Sequence, residues 1–521
     1  MKDKIMALDL GSTGIKVALF DSKANIIGSK YGEYKTQYPG PNMVLQSPTD
    51  WWTYFCEASQ ALLKETQIDP SEIACVAPSG QMSALIPIDK DGKLLMDPCQ
   101  IWADMRCSKQ VKEIAEANGG QDKVYYQTGI GLTEETFTGY KILWFRENMP
   151  ELFEKTVLYL QPKEYIGLQL TGTAATDPSD ASETVMLDVN TRTWSKKILA
   201  DIGIDESKLP PIKKSYDLLG HVTDEAAKAT GLLAGTPVCV GGGDVAIATL
   251  GAGVSKAGEA YLYIGSGSWV GISSEVPLLD FEKRIACISS TTTEGYVPHE
   301  VAFSGGLSQQ WARELVNTIP NSNYKIKYDE MDALAANSPI GASGLIFLPY
   351  LRGGGAPTQN INARGGFIGL EPKHNYGDMC RAILEGVAYI LRECLEALDD
   401  LSTCEIKEVY LIGGGAKGKL WKQIIANVIQ RPVVCTTMKQ EANTWGAAKL
   451  GGVCVGLWKN FEEAQSLVQR ESVSYPDPKT KDIYDALYKV FLHSYDQLVP
   501  VFEELADCRI MIDEYIRGLN D

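Results

Sequence analysis

Short apolar runs broken by glycine turns recur along the chain. Residues 5–10 (IMALDL) and 15–20 (IKVALF) bracket a GSTG turn and predict two strands joined by that turn. NIIGSKYGEY (25–34) predicts a third strand. Asp50 then opens DWWTYFCEASQALLKETQ, whose apolar positions Trp52, Phe55, Leu62 and Leu63 predict a helix capped by Asp50. IACVAP (73–78) returns to strand. Strands followed by helices in this order predict an α/β architecture with helices packed on a mixed sheet.

The pattern repeats. AYLYIGSGSWVGISS (260–274) overlays IMALDLGSTGIKVAL (5–19), so that Ile264-Gly265-Ser266 falls on Leu10-Gly11-Ser12 and Tyr263 on Asp9. IACVAPSG (73–80) has its echo in EVYLIGGG (408–415). Two similar halves follow, 1–244 and 245–521, with a boundary near 245. Later, residues 378–401 keep helical apolar spacing, with Asp378 placed to cap them. Residues 482–515 read as mostly helical, interrupted by Pro500. No low-complexity linker separates the halves, which predicts an extensive interface between them.

Composition narrows the partners. The 521 residues suffice for roughly two to four domains. At 45% hydrophobic and 22% charged, the chain can bury a large core. The 49 Lys and Arg against 66 Asp and Glu give a net charge of −17, which argues against nucleic acid and anionic membrane as partners. No run approaches the roughly 18 apolar residues of a membrane span. The opening MKDKIMALDLGSTG lacks the apolar core of a secretion signal. Twelve cysteines without a CxxC pair, several in apolar settings (Cys75, Cys239, Cys435, Cys454), read as free thiols in a reducing compartment. A cytoplasmic location is expected. Four histidines make a zinc site improbable.

Three glycine-rich stretches carry candidate chemistry. DLGSTG (9–14) offers backbone N–H groups and two hydroxyls to an anion, with Lys16 just beyond and Asp9 at the strand end to hold a metal-bound water. The bland alternative is a hairpin whose Asp and Ser satisfy their own backbone. GSGS (265–268) repeats the device without the acid, and two such loops facing each other would hold a triphosphate. In YLIGGGAKGKLWKQ (410–423), Gly413 to Lys419 spells GxxxxGK, but Leu420 stands where magnesium needs Ser or Thr, so a P-loop is rejected. An adenosine-binding loop or a tight strand-to-helix turn remains. In GGGD (241–244), Asp244 could simply cap the following helix. Capping does not explain three glycines, which read instead as clearance for an approaching ligand. A carboxylate at a helix N-terminus is expected to stay ionised and so to suit a general base.

These motifs together resemble the FGGY carbohydrate kinases of the actin-like ATPase superfold, and within them the xylulokinase-like group. The resemblance runs from ALDLGSTGIKVALFD through LIGGGAKGKLWKQIIANV to EANTWGAA (441–448). GGFIGLEPKHNYGDMCRAILE (365–385) fits one family signature, and TFTGYKILWFREN (136–148) the other except at Thr136. It implies two actin-like, ribonuclease H-like α/β domains with a cleft between them, and a kinase that uses ATP and Mg2+. By position it implies Asp244 as catalytic base and Asp9 as the magnesium-associated acid. Gly11, Ser12, Thr13 and Lys16 would form the first phosphate loop, Ser266 and Gly267 the second, and Gly414, Gly415 and Ala416 the adenosine loop. The sugar pocket would comprise Gln81, Met82, Ser83, Trp102, Asp104 and Arg106, with Trp102 either a wall for the carbon chain or plain core. A homodimer is the assembly the family suggests.

The departures concern the substrate. Ser83 stands where xylulokinases typically have histidine, and Val245 where they have asparagine. Kinases of autoinducer-type compounds also carry valine after this aspartate, and their tails resemble PDPKTKDIYDALY (476–488). The family's Gly-Glu-Arg-x-Pro is replaced in PYLRGGGAPT (349–358), removing a Glu–Arg pair near residue 354. The expected reaction is phosphorylation of a hydroxyl on a small sugar, such as the ketose xylulose, or on a polyol. The alternatives are another small substrate (an autoinducer-type compound, gluconate or erythritol) or a non-enzymatic, nucleotide-dependent sensor.

Overall fold

A computed structural model describes residues 2–130, 135–292, 295–319, 324–355, 357 and 359–520, apart from the side chains of 513 and 517–520. Two residues of the 349–358 stretch, Ala356 and Thr358, lie outside the described residues. Among the described residues the chain forms two seven-stranded mixed sheets. The first is ordered Leu218–His221, Pro237–Cys239, Ile73–Gly80, Lys4–Leu10, Gly14–Asp21, Ile26–Glu33, with Gly242–Gly243 pairing beside Ile73–Gly80. The second is ordered Ala286–Ser289, Tyr296–Ala302, Ser268–Ile272, Ala260–Ile264, Val409–Ile412, Val433–Thr436, Arg470–Ser474.

The repeat read from sequence is a repeat of topology. In each sheet a central strand starts an antiparallel meander on one side and meets two parallel strands in turn on the other. The two glycine turns are equivalent in place but not in length. Leu10 pairs with Ile15, whereas Ile264 pairs with Ser268.

Local chemistry explains the helices, with three corrections. The first helix is Pro48–Thr66: Ser47 caps it, its Oγ accepting from the Asp50 amide at 3.2 Å, and Pro48 needs no donor in the first turn. Asp50 is therefore an acid inside the first turn. Its buried face is Trp51, Phe55, Ser59, Leu62 and Leu63. The central helix of the second half, Tyr376–Asp399, is capped by Asn375, whose backbone amide donates in turn to the Asp378 carboxylate at 2.9 Å. Pro500 does not interrupt the last helix, Lys481–Asn520, which runs through it.

The halves share a core. Ile5, Ala7, Phe20 and Ala77 from the first sheet pack with Ile247, Leu250, Trp445 and Ala448 from helices Asp244–Ala252 and Ala442–Cys454. These two helices cross at glycines: a Cβ on Gly251 would stand 1.8 Å from the Ala442 carbonyl oxygen, and one on Gly446 2.2 Å from that of Ile247. Trp458 crosses the same seam and donates its indole N–H to the Ser22 carbonyl at 3.0 Å. None of the twelve cysteines, all of them among the described residues, forms a disulfide. No helix among the described residues is long and apolar enough to cross a membrane.

Candidate active site

Three parallel strand ends build the floor of the site. Ser79 of Ile73–Gly80 stands beside Asp9 on one side and Gly242 on the other. Asp9 and Asp244 are thus brought to the carboxyl edge of one sheet, where open α/β sheets bind ligands. The Ser79 hydroxyl donates to Asp9 Oδ1 at 3.0 Å. Burial pushes the Asp9 carboxyl above its usual range, opposed by that hydrogen bond.

Asp244 is the first helical residue of Asp244–Ala252. The cap position is Gly243, and no side chain caps this end, so the capping role is not realised. Burial pushes the Asp244 carboxyl up to about 8, and the charges of Asp9 and Glu183 push in the same direction. This corrects the expectation of an ionised group. Desolvation and two neighbouring acids outweigh the roughly 0.3–1 kcal/mol that a helix N-terminus returns.

The three glycines have a different reason from the one expected. Gly241 has φ +80°, and a Cβ there would stand 2.1 Å from the Pro78 carbonyl oxygen. A Cβ on Gly242 would meet Thr291 at 2.7 Å, and one on Gly243 the Met82 sulfur at 2.5 Å. The clearance is for the protein's own atoms, which close against the strand to set the direction of Asp244. Beneath them, the Gly243 amide donates to Ser179 Oγ at 3.1 Å, and Ser179 donates to Asp177. Lys163, wholly buried, lies 3.2 Å from Asp177 and 3.3 Å from Asp180.

The expected sugar-side residues divide by role. Ser83 has φ +60°, and its Oγ donates to the Glu183 carbonyl at 2.9 Å. Met82 packs on Gly243. Gln81 donates to Gln46, which donates to the Ser12 carbonyl and so braces the first glycine turn. Trp102 is not core: it is 42% exposed, and its indole donates to Ser12 Oγ at 2.9 Å. Asp104 is buried, and its oxygens accept two bonds from Arg106, at 2.7 and 2.6 Å, and one from the Val44 amide. Asp104 therefore fixes the loop and the Arg106 guanidinium, which also lies over Trp144.

On the expected nucleotide side, Gly11 donates its amide to the Gly14 carbonyl, closing the first turn. Thr13 Oγ1 is 3.2 Å from the Tyr31 hydroxyl. Lys16 reaches across the halves to Glu441 at 3.0 Å and to the Gln440 carbonyl. A cavity of about 550 Å³ is lined by Ser266, Gly414 and Gly415 together with Gln309, Asp332 and Lys417. A Cβ on Gly267 would make ordinary contact with the Ala302 and Phe303 carbonyl oxygens, at 3.7 and 3.9 Å, whereas Ala416 is buried.

Sequence reasoning missed Glu183, Lys141, Tyr263 and the Gln309–Asp332 pair. Lys141 is buried and donates to the Ser83 carbonyl at 2.5 Å, with burial lowering its ammonium to about 8. Tyr263 stacks on Trp269 with centroids 3.7 Å apart, near enough to Asp9 and Asp244 to feel their charges. Its alignment with Asp9 in the repeat was the available signal.

Residues 4–251 match the N-terminal domain, and residues 260–455 the C-terminal domain, of the FGGY family of carbohydrate kinases. This chain belongs to that family. It is 29% identical over 497 residues to the xylulose kinase of Bacillus subtilis, covering 94% of this chain and 97% of that one. It is 31% identical over 508 residues to the autoinducer-2 kinase of Yersinia enterocolitica, covering 93% and 92%. Among solved structures, the gluconate kinase of Lactobacillus acidophilus superposes with a TM-score of 0.87 at 26% identity, covering 96% and 99%. The two-domain α/β kinase fold and phosphotransferase activity follow from the family, in agreement with the paired sheets and the strand-end site.

Proposed function

We propose that the chain transfers the γ-phosphoryl group of ATP to a hydroxyl of a small sugar or polyol, a ketose such as xylulose being the first candidate. The single observation that carries this reading is the convergence of Asp9 and Asp244 at the strand ends between the two glycine turns. Phosphoryl transfer needs alignment, charge neutralisation and a place for the acceptor proton. Asp244 is placed to take that proton. Its raised affinity for a proton suits a base that holds one during transfer. The turn at 11–14 and the 265–267 turn supply amides for phosphate oxygens, and the Ser266–Gly414 cavity is of a size for a nucleoside.

Magnesium fits the donor set. Asp9 is a partly buried carboxylate at the strand end, and Mg2+ is commonly held by one or two carboxylates with substrate phosphates and water. When bound, it neutralises phosphate charge. Among the described residues no group of three His, Cys, Asp or Glu side chains forms an all-protein cage. We also place 1–244 and 245–521 as the acceptor-side and nucleotide-side domains, and the protein in the cytoplasm as a soluble kinase.

A second acceptor class is favoured by one observation. Val245 packs its side chain into the apolar cluster under the sugar side, and Ser83 has committed its hydroxyl to Glu183. Neither offers a spare polar group, which favours an acceptor other than a pentulose, as the likeness to an autoinducer-2 kinase also suggests. A coupled ADP-release assay over ketoses, polyols, aldonates and autoinducer-type compounds tests both readings. Acceptor-dependent ADP release supports them, and its absence across the panel refutes them.

A further inference from the structure

Three glycines leave 241–243 without side chains to pack, so backbone hydrogen bonds hold the course of the chain into Asp244. Gly242 and Gly243 pair beside Ser79 and Gly80. The Gly241 amide donates to the Ser215 carbonyl at 2.8 Å. The Gly243 amide donates to the Ser179 hydroxyl at 3.1 Å. Gly243 is the cap position of the helix that Asp244 opens, so its peptide sets the direction in which Asp244 leaves the strand end. That bond is made by a side chain, not by backbone.

Ser179 is wholly buried, and its hydroxyl can point only one way. A carboxylate accepts and does not donate, so Ser179 donates to Asp177 Oδ2, at 2.6 Å, and keeps its lone pairs for the Gly243 amide. Asp177 is itself held: Lys163 lies 3.2 Å from its Oδ1, and Ser215 donates to its Oδ2 at 2.7 Å. Bonds in such a buried chain polarise one another and strengthen together. The short helix that carries Ser179, Pro178–Ser182, is anchored from the second half as well, because the Ser289 amide donates to Ser182 Oγ at 3.0 Å. Ser179 is thus a fixed post, braced by a buried ion pair and by the edge strand of the second sheet. It offers an acceptor to the residue before Asp244. Alanine at 179 would leave the buried Gly243 amide without this partner, and the peptide would move to find another.

We propose that Ser179 is a positioning residue for phosphoryl transfer, its hydroxyl aligning Asp244 through the Gly243 peptide. This rests on the kinase reading above, with Asp244 as base. The test measures kcat and KM for ATP and for the best acceptor in wild type, Ser179→Ala and Ser215→Ala. Ser215→Ala is the control, since it removes a bond to the same Asp177 oxygen and keeps the backbone carbonyl that holds Gly241. Ser179→Ala should lower kcat by about 10-fold or more with KM little changed, because a displacement of about 1 Å can cost about 10²-fold in rate. Ser215→Ala should stay within about 3-fold of wild type. In the Asp244→Asn chain, Ser179→Ala should cost less than about 3-fold more, since it acts through a group already removed. Ser179→Cys keeps the shape but hydrogen-bonds weakly, and its kcat should also fall, which preserves the test if the alanine variant does not fold. An equal further loss in the Asp244→Asn chain, or an equal loss from Ser215→Ala, marks a merely structural role and overturns the proposal. Hydrogen exchange of the Gly243 amide is read separately from activity. It should be faster in the two Ser179 variants and unchanged in Ser215→Ala, and unchanged exchange in the Ser179 variants also overturns the proposal. If wild type phosphorylates no acceptor, the kinase reading falls, and the exchange measurement still decides whether Ser179 holds the peptide before Asp244.

Discussion

Replacing Asp244 by Asn should slow turnover sharply and stabilise the protein, and the stabilisation should grow with pH. The carboxyl is raised from 3.8 to about 8 in the fold, by burial first and then by Asp9 and Glu183. An acid with a raised folded-state pKa binds more protons folded than unfolded between those two values. Its contribution to stability is intact below about pH 4 and is lost as pH rises towards 8. Each unit is worth about 1.4 kcal/mol, so the penalty is about 4 kcal/mol at pH 7 and about half that at pH 5.5. Asn keeps the shape and carries no such penalty. With an unfolding entropy of about 2 cal/mol/K per residue, the variant should melt about 4 °C above wild type at pH 7. The gap should be smaller at pH 5.5 and larger at pH 8. Loss of the base should cost about 10²–10⁴-fold in kcat. Differential scanning calorimetry across pH, with a coupled assay on the same samples, reads both effects. A variant no more stable than wild type at pH 8, or a gap that does not change with pH, would refute the assignment of a partly buried, proton-hungry carboxyl.

Further expectations follow from the same geometry. The kcat/KM of wild type should rise with pH to a limb near 8 as Asp244 loses its proton, and a profile flat from pH 6 to 9 would contradict this. Lys163→Met leaves Asp177, Asp180 and Glu164 buried without their cation and should cost about 3–5 kcal/mol in urea unfolding. Gly243→Ala drives a methyl into Met82 and should lower kcat, and Met82→Ala in the same chain should restore part of it. Gly241→Ala should have no such partner rescue, because its obstacle is the Pro78 carbonyl and its φ is +80°.

Local signals were the legible ones. The two hairpins, their glycine turns and the repeated strand order follow from apolar runs and glycines adjacent in sequence, and the structure realises them as matching sheets. Helix caps were misplaced by a few residues because Asp50 and Asp378 are good caps by type. Geometry instead gives the cap to Ser47 and Asn375 and leaves the acids inside the first turn. The reason for three glycines before Asp244 was illegible: Pro78, Met82 and Thr291 lie far away in sequence, and only the folded sheet brings them to within 3 Å of a Cβ. Glu183 and Lys141 were missed for the same cause. A lone acid and a lone lysine look like solvated surface until Ser83 is seen between them.

The central claim is that the cleft moves a phosphoryl group from ATP onto a small sugar. Mass spectrometry of the acceptor after incubation with protein, ATP and Mg2+ tests it most directly. A phosphorylated sugar formed by wild type and missing with Asp244→Asn is the predicted result. ATP hydrolysis without any phosphorylated acceptor, or equal product from both proteins, would contradict it.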